Sequence, residues 1–476
     1  MSDSKTRVRF APAPTGAMHL GNIRTALFNF LFEKQKKGTL VLRIEDTDPK
    51  RNFDPQGTHI IQDLNWLGIE YDEGPNKLSQ HGPYFQSKRT QLYKQKLQEL
   101  IEKETVYRCF CTQDELEKKR QRQKALKQPP RYDRTCLKLP QEKIDKKLEA
   151  KIPFVWRVKL DHSQHITIND LGHGKIEYDL KNFSDFPVTR QDGSFTFMLA
   201  NCIDDIDMNI THVFRGEDHQ TNTVGQAFLY YVFNMPLPIY WHMPIMCNID
   251  GKKLSKRDFG FSLKDLKSGG FLPEAIVNYL SIIGGSFEKE IMPVEKIVQS
   301  YNFEHVGAPG HIKYDVDKLR WVNHKWLTHY DTQQLTKLVL PILEKKFPAI
   351  KNEQAETIEN LIKMVQPELV TLNDISSLAK FYFEPPKDVF KKLEKNFSKD
   401  LISSFSDIKK IILENLENSN QTIEKLKSYS KDNNIKIGDM FKIVRMALIG
   451  KSNGPGLADI LNILGTSKTE QRIKAI

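Results

Sequence analysis

Cysteine is scarce in this chain: Cys109, Cys111, Cys136, Cys202 and Cys247 are the only five among 476 residues. An odd handful without even spacing makes no disulfide framework, so stability is expected from ordinary apolar cores. Long apolar runs are also missing. No stretch approaches the roughly 18 residues of a membrane-crossing helix, and MSDSKTRVRF lacks the apolar core of a secretory signal. A cytoplasmic protein is expected, with no membrane partner. There are no internal repeats. The polar tracts near 118 to 128 and 414 to 436 still carry apolar residues within or beside them, so neither reads as disordered. No G-x-x-x-x-G-K-[ST] motif occurs at the first helix start, which disfavours a P-loop ATPase. What is plentiful is positive charge: 71 Lys+Arg stand against 60 Asp+Glu, a net +11. That excess suits a polyanionic partner such as nucleic acid, although a lysine-rich solvated surface accounts for it equally well.

The length suits about two to four domains. Val8 to Phe10 make a short strand-like run. Ile23, Ala26, Leu27, Phe30 and Leu31 then follow the i, i+3, i+4, i+7, i+8 spacing of a helix with one buried face, starting near Gly21. In TLVLRIEDTD, Leu40, Leu42 and Ile44 alternate as a strand should. This opening predicts a parallel α/β sheet. From Cys109 to about Lys151 the composition turns charged, after which WRVKL and HITIND read as strands, so an inserted module is expected. The α/β signal returns at ITHVFRGEDH and IYWHMPIM. Beyond Trp321 the pattern is nearly all helical and rich in lysine and asparagine.

Between the first strand and helix, APAPTGAMHLGN places two prolines, a Thr-Gly pair and His19 at one turn. A helix start has unpartnered N–H groups and the positive end of the helix dipole, both of which favour an anion such as phosphate. An ordinary strand-to-helix turn explains the same spacing. Ligands of open α/β sheets bind beyond the strands' carboxyl ends, and four of those ends carry charge. They bring Arg9; Arg43, Glu45, Asp46 and Asp48; Arg215, Glu217 and Asp218; and the loop DGKKLSKR with Lys252, Lys253, Ser255 and Lys256. Two arginines and a carboxylate facing one crevice suit a zwitterion with two carboxylates and one amine. Local ion pairs at the sheet edge are the alternative for Arg43, Glu45 and Asp46, and a solvated basic loop is the alternative for the lysines.

HLGN at 19 to 22 resembles the HIGH signature of class I aminoacyl-tRNA synthetases, and KLSKR at 253 to 257 resembles their KMSKS loop. RFAPAPTGAMHLGNIRTALFN, LRIEDTD, GIEYDEGP, THVFRGEDHQTNT, GFLPEAIVNYL and DKLRWVNHKWL are similar to bacterial glutamyl-tRNA synthetases over most of the chain. The resemblance implies an α/β fold: a Rossmann-type parallel-sheet catalytic domain in two halves, 1–108 and 186–260, around an acceptor-binding insert at 109–185. A stem-contact helical region at 261–325 and a helical anticodon-binding region at 326–476 would follow. It implies ATP-dependent ligation of L-glutamate to tRNA(Glu) through a glutamyl-adenylate, by a monomer using ATP with Mg2+. His19, Lys253 and Lys256 take the catalytic roles. Pro12, Thr15, Gly16, His19, Gly21, Asn22, Lys253, Leu254, Ser255 and Lys256 are the implied ATP contacts, and Arg9, Ala13, Glu45, Phe197, Asn201 and Arg215 those of glutamate. Cys109, Cys111, Tyr132 and Cys136 match a structural zinc set.

The departures are specific. Ala13 stands where the family has serine, and Phe197 where it has tyrosine. Each loses a hydroxyl near the substrate, and a hydrogen bond to a charged group is worth about 1.5–3 kcal/mol, so weaker glutamate binding is expected. Lys138 occupies the place of a histidine zinc ligand, which leaves Tyr132 as the substitute, or three reduced cysteines and no metal. Glu368 stands where many relatives have an arginine that helps read the anticodon. A carboxylate accepts from a cytosine amino group, so a choice extended to tRNA(Gln) is one alternative and a plain surface glutamate the other. A glutaminyl enzyme usually ends in β-barrels, which this tail does not resemble, and an enzyme that glutamylates a modified tRNA base is too short. A decayed RNA-binding protein has no need of intact HLGN and KLSKR.

Overall fold

The computed structural model describes residues 5–77, 79–255, 257–285, 287–306 and 310–476. The chain forms two compact units, Met1–Leu266 with Ile276–Val316, and Lys267–Ala275 with Asp317–Ile476.

In the first unit, strand β1 (Arg7–Phe10) lies parallel to β2 (Thr39–Leu42), with Val8 opposite Leu40 and Phe10 opposite Leu42. Helix α1 (Leu20–Lys36) makes the crossover, ending on Lys34 and Lys36, whose charge suits the negative end of the helix dipole. Its predicted face is buried. So are Phe28, Asn29, Phe32 and Glu33 beyond that face, because Tyr301 and Phe303 pack on Phe28 at 5.0 and 6.4 Å between ring centroids. A single apolar stripe is therefore too narrow a description of α1, which is covered on more than one side.

A second parallel pair, His212–Gly216 and Ile239–Met243, is joined by the Gln220–Val232 helix. It is tied to β1 where Thr211 N donates to Arg7 O at 3.0 Å. His165–Asp170 pairs with Ile239–Met243 only through Asp170 and Tyr240, and antiparallel with Gly174–Asp179. The parallel sheet is thus small, and its strands end on Phe10, Leu42, Gly216 and Met243. Behind it Val213, Val224, Ala227, Phe228 and Tyr240 belong to one apolar core.

Strands Val106–Cys109 and Val155–Val158 pair antiparallel around a charged segment, whose Gln113–Ala125 helix buries no residue. Cys109, Phe110 and Cys136 make a small separate core there. The second unit is helical among its described residues. In Thr332–Lys346, Leu335, Val339 and Leu343 turn inward, and the last helix, Leu457–Lys474, bends at Gly465, where φ is 66°. No described helix is long and apolar enough to cross a membrane.

Candidate active site

A cavity of about 430 Å³ opens where the parallel strands end, walled by β1, the start of α1, the Phe197–Asp207 helix and the turns after Gly216 and Met243. Among the residues expected at the site it collects Arg9, Pro12, Ala13, His19, Gly21, Asn22, Glu45, Phe197, Asn201, Arg215, Lys253 and Leu254. Thr15, Gly16 and Ser255 are not part of its lining. Ser255 is folded onto Asp258, whose carboxylate accepts from its amide and hydroxyl at 2.8 and 2.9 Å. Lys256 lies outside the described residues.

His19 does more than stand beside a bare helix start. It is the N-cap of α1: its Nδ1 accepts from Asn22 N at 3.3 Å, and the Asn22 side chain accepts from His19 N at 3.4 Å. Leu20 N donates to Phe261 O at 3.0 Å. The first turn is therefore largely satisfied by the protein, and Gly21 N is the one of its first three amides without a partner among the described residues. A side chain at Gly21 would bring its Cβ within 3.1 Å of the His19 ring, so glycine is what keeps this approach open. With Nδ1 accepting, the ring's proton sits on Nε2. Burial, and then Lys253, lowers the His19 pKa, so the ring is a neutral donor. Lys253 itself is exposed and pairs with Asp218 at 3.1 Å.

The other end of the cavity holds buried charge. Arg43 is fully buried and lies 3.0 Å from Glu45, 2.7 Å from Asp205 and 3.6 Å from Asp204. Arg89 closes on Asp204 at 2.6 Å, and Arg9 donates through Nε to Asp205 at 3.2 Å and through Nη1 to Phe214 O at 3.2 Å. Glu45 accepts on Oε1 from Arg43, Asn201 (2.7 Å) and Gln86 (3.5 Å), while Oε2 has no partner among the described residues. Burial raises the Glu45 pKa, and Arg43 and Asn201 oppose this. Asn201 is aimed by Gln226, which donates to its carbonyl at 2.9 Å. Asp46 turns away, accepting from Ser87 N and Oγ at 2.8 and 2.6 Å. Glu45 thus lines the cavity while also pairing with Arg43, and Arg43 and Asp46 make local pairs away from its lining.

Arg215 is the exception among these guanidinium groups. It is buried, no carboxylate pairs with it among the described residues, and its Nε is sealed without a partner. Among the described residues its guanidinium makes one hydrogen bond, from Nη2 to Thr223 Oγ1 at 2.6 Å. Behind it runs a chain: Thr223 Oγ1 to His242 Nε2 at 2.6 Å, then His242 Nδ1 to Asp170 Oδ2 at 2.6 Å. Burial raises the Asp170 pKa, but the bonds from His242 and His173 outweigh it and hold the group at about 2. An ionised Asp170 takes the Nδ1 proton, Nε2 then accepts from the Thr223 hydroxyl, and Thr223 oxygen is left to receive Arg215. The Thr–His–Asp line resembles a nucleophilic triad in spacing, yet its hydroxyl is buried against a guanidinium and serves to aim it. Phe197, at the first turn of its helix, packs on the His219 ring at 5.5 Å.

In the insert, the sulfurs of Cys109, Cys111 and Cys136 lie within 4.8 Å of one another. Tyr132 Oη lies 3.3 Å from Cys109 Sγ and 3.7 Å from Cys111 Sγ, and Cys111 and Cys136 Sγ are 3.6 Å apart. Sulfurs bound to one tetrahedral zinc at about 2.3 Å sit roughly 3.7 Å apart, and the 3.6 Å between Cys111 and Cys136 Sγ matches that spacing. In the helical unit a cavity of about 470 Å³ is lined by Lys380, Phe381, Lys387, Lys392 and Lys451, with exposed Glu368 on its wall.

Residues 5–321 match the family model for the catalytic domain of class I tRNA synthetases (E and Q), and 334–476 match an anticodon binding domain. The chain belongs to the class I tRNA synthetases of the E and Q type. Within that class its relatives are glutamate–tRNA ligases. The one from Moorella thermoacetica is 34% identical, the match covering 99% of this chain and 97% of that protein. The one from Bacillus subtilis is 33% identical over 99% and 100%. A crystal structure of a glutamate tRNA ligase from Elizabethkingia meningosepticum in complex with its amino acid superposes with a TM-score of 0.88 at 28% identity, covering 99% of both chains.

Proposed function

We propose that this chain is a glutamate–tRNA ligase that joins L-glutamate to tRNA(Glu) in two steps. A glutamate α-carboxylate oxygen attacks the α-phosphorus of ATP and pyrophosphate leaves with its electron pair. A terminal ribose hydroxyl of the tRNA then attacks the activated carbonyl, and AMP leaves. Neither step needs a protein nucleophile, so the residues position reactants and stabilise charge.

The observation that carries this reading is the pair of unspent groups in one cavity: Arg215 without a carboxylate and Glu45 with an open oxygen. The reacting α-carboxylate must stay free to meet phosphorus, so Arg215 and the open edge of Arg9 take the γ-carboxylate, and Glu45 Oε2 takes the ammonium. Asn201 holds Glu45 in register. His19 donates from Nε2 to the phosphates beside Gly21 N. Lys253 leaves Asp218 for the triphosphate, and with Lys256 supplies positive charge as pyrophosphate departs. Mg2+ enters with ATP.

In the insert, Cys109, Cys111, Cys136 and Tyr132 hold a structural zinc that ties the end of the first antiparallel strand to the Tyr132–Cys136 segment. The lysine-lined cavity of the helical unit takes anticodon nucleotides, their phosphates drawn by Lys380, Lys387, Lys392 and Lys451. Pyrophosphate exchange with glutamate, ATP and tRNA tests the reading. Exchange that depends on glutamate supports it, and near-normal rates in both His19→Ala and Lys253→Ala would remove their assigned roles. Charging of tRNA(Gln) beside tRNA(Glu) would extend the substrate range and make Glu368 the first residue to exchange.

A further inference from the structure

Two consecutive polar residues at the start of the Gln220–Val232 helix each hold a side chain of the cavity. Thr223 holds Arg215, and Asn222 holds His219, whose Nδ1 accepts from Asn222 Nδ2 at 3.3 Å. An imidazole nitrogen that accepts carries no proton, so in the neutral ring the proton sits on Nε2. The ring is neutral: burial, and then the Arg215 charge, pull its pKa well below the ordinary histidine value, with Asp218 acting the other way. His219 is half-buried and lines the cavity with Arg9, Phe197 and Arg215, and Phe197 packs on its ring at 5.5 Å. Its Nε2 has no hydrogen-bond partner among the described residues, and unlike Arg215 Nε it is not sealed from solvent. One N–H is therefore left open to the cavity.

Which substrate group meets it follows from its neighbours. Both Arg215 and Arg9 are among the charges that act on the ring, and these two take the γ-carboxylate in the proposed function. A carboxylate offers only acceptors, so it gains from a further N–H. The side-chain amide of glutamine has the same shape but carries an acceptor at one end and an NH2 at the other. Where every surrounding group donates, that NH2 faces another N–H and both go unmet. With the proton on Nδ1 the preference would reverse, because a bare Nε2 repels a carboxylate oxygen and accepts from an amide. The position of one proton thus decides between two side chains of equal size. We propose that His219 is a specificity-determining residue that donates from Nε2 to the γ-carboxylate, and that Asn222 is a positioning residue that keeps the proton on that nitrogen. It rests on the glutamate reading of the same cavity.

Histidine-selective 15N NMR of the unchanged protein at neutral pH reads the tautomer. The account expects His219 with Nε2 protonated and Nδ1 bare, and a mixture of the two forms in Asn222→Leu. Calorimetry then follows glutamate, with glutamine as competitor, in His219→Phe, which keeps a ring against Phe197 and removes the donor. Glutamate should weaken by about tenfold or more while the glutamine constant holds or falls, and in pyrophosphate exchange the KM for glutamate should rise with that for ATP unchanged. Asn222→Leu should shift glutamate in the same direction by a smaller factor, which keeps the test open if His219→Phe does not fold. A histidine that only packs would lower the thermal midpoint and leave the glutamate-to-glutamine ratio alone. Nδ1 protonated in the unchanged protein, or equal glutamate affinity in a folded His219→Phe, overturns the assignment, as does a loss confined to ATP. Glutamate binding that depends on His219 in a protein that does not charge tRNA(Glu) would refute the proposed function and leave this assignment standing.

Discussion

Arg215→Met is the substitution that the glutamate site makes most consequential. The wild-type guanidinium makes one hydrogen bond among the described residues, to Thr223, and no carboxylate there pairs with it. Two charge-assisted bonds to a ligand carboxylate, at about 1.5–3 kcal/mol each, are worth roughly 3–6 kcal/mol, a fall of about 10²- to 10⁴-fold in kcat/KM for glutamate. Because no carboxylate pairs with Arg215 among the described residues, the folded protein loses the Thr223 bond and the contact with the Tyr240 ring, and its urea midpoint should move little. Pyrophosphate exchange with tRNA present, titrating glutamate and then ATP, separates the two substrates: the glutamate curve shifts and the ATP curve does not. An unchanged glutamate KM in a folded Arg215→Met protein would refute the reasoning, since it would mean that the unpaired cation is not where the substrate carboxylate goes.

The neighbouring Arg43→Met should behave in the opposite way, because it leaves Glu45, Asp204 and Asp205 buried without their shared cation. A loss of about 3–5 kcal/mol in urea melts is expected, and a midpoint near wild type would show that the cluster rearranges. Asp170→Asn removes a carboxylate held at about 2 against an ordinary 3.8. A depressed carboxylate stabilises fully above the unfolded value and loses that contribution as pH falls from about 4 towards 2, so the variant should cost about 2 kcal/mol at neutral pH and show a flatter acid limb. Metal analysis of purified protein should find about one zinc per chain, reduced in Tyr132→Phe; metal-free protein of full activity would refute the ligand set. Phe197→Tyr restores a hydroxyl at the cavity wall and should lower the KM for glutamate, and an unchanged value would show that the hydroxyl has no reach to the substrate.

Much of the site was legible because it lies at strand ends. Arg9 and Arg215 lie near the ends of strands and Glu45 just beyond one, and His19 precedes a helix whose spacing is plain, so the topology brings them to one crevice. The supporting charges were not legible. Asp204 and Asp205 sit inside an otherwise apolar helical segment, FMLANCIDDID, where a buried acid signals a partner but not which one. Arg43 and Arg89 are those partners, from segments far away in sequence. The Asp170, His242 and Thr223 chain comes from three elements, and only the parallel pairing of Asp170 with Tyr240 brings it into line. At the nucleotide end the sequence suggests a free helix start, whereas Phe261 O and the His19 ring take up two of its amides. A bond to a distant loop carbonyl leaves no local mark in composition or spacing.

The central claim is that this cavity activates glutamate for transfer to RNA. Purified tRNA(Glu) incubated with the enzyme, ATP and labelled glutamate, beside a reaction without ATP and one with Arg215→Met, tests it most directly. The account predicts label on tRNA(Glu) that requires ATP and falls about 10²-fold or more in the variant at limiting glutamate. Absence of label with the intact enzyme, or label that does not depend on Arg215, would contradict it.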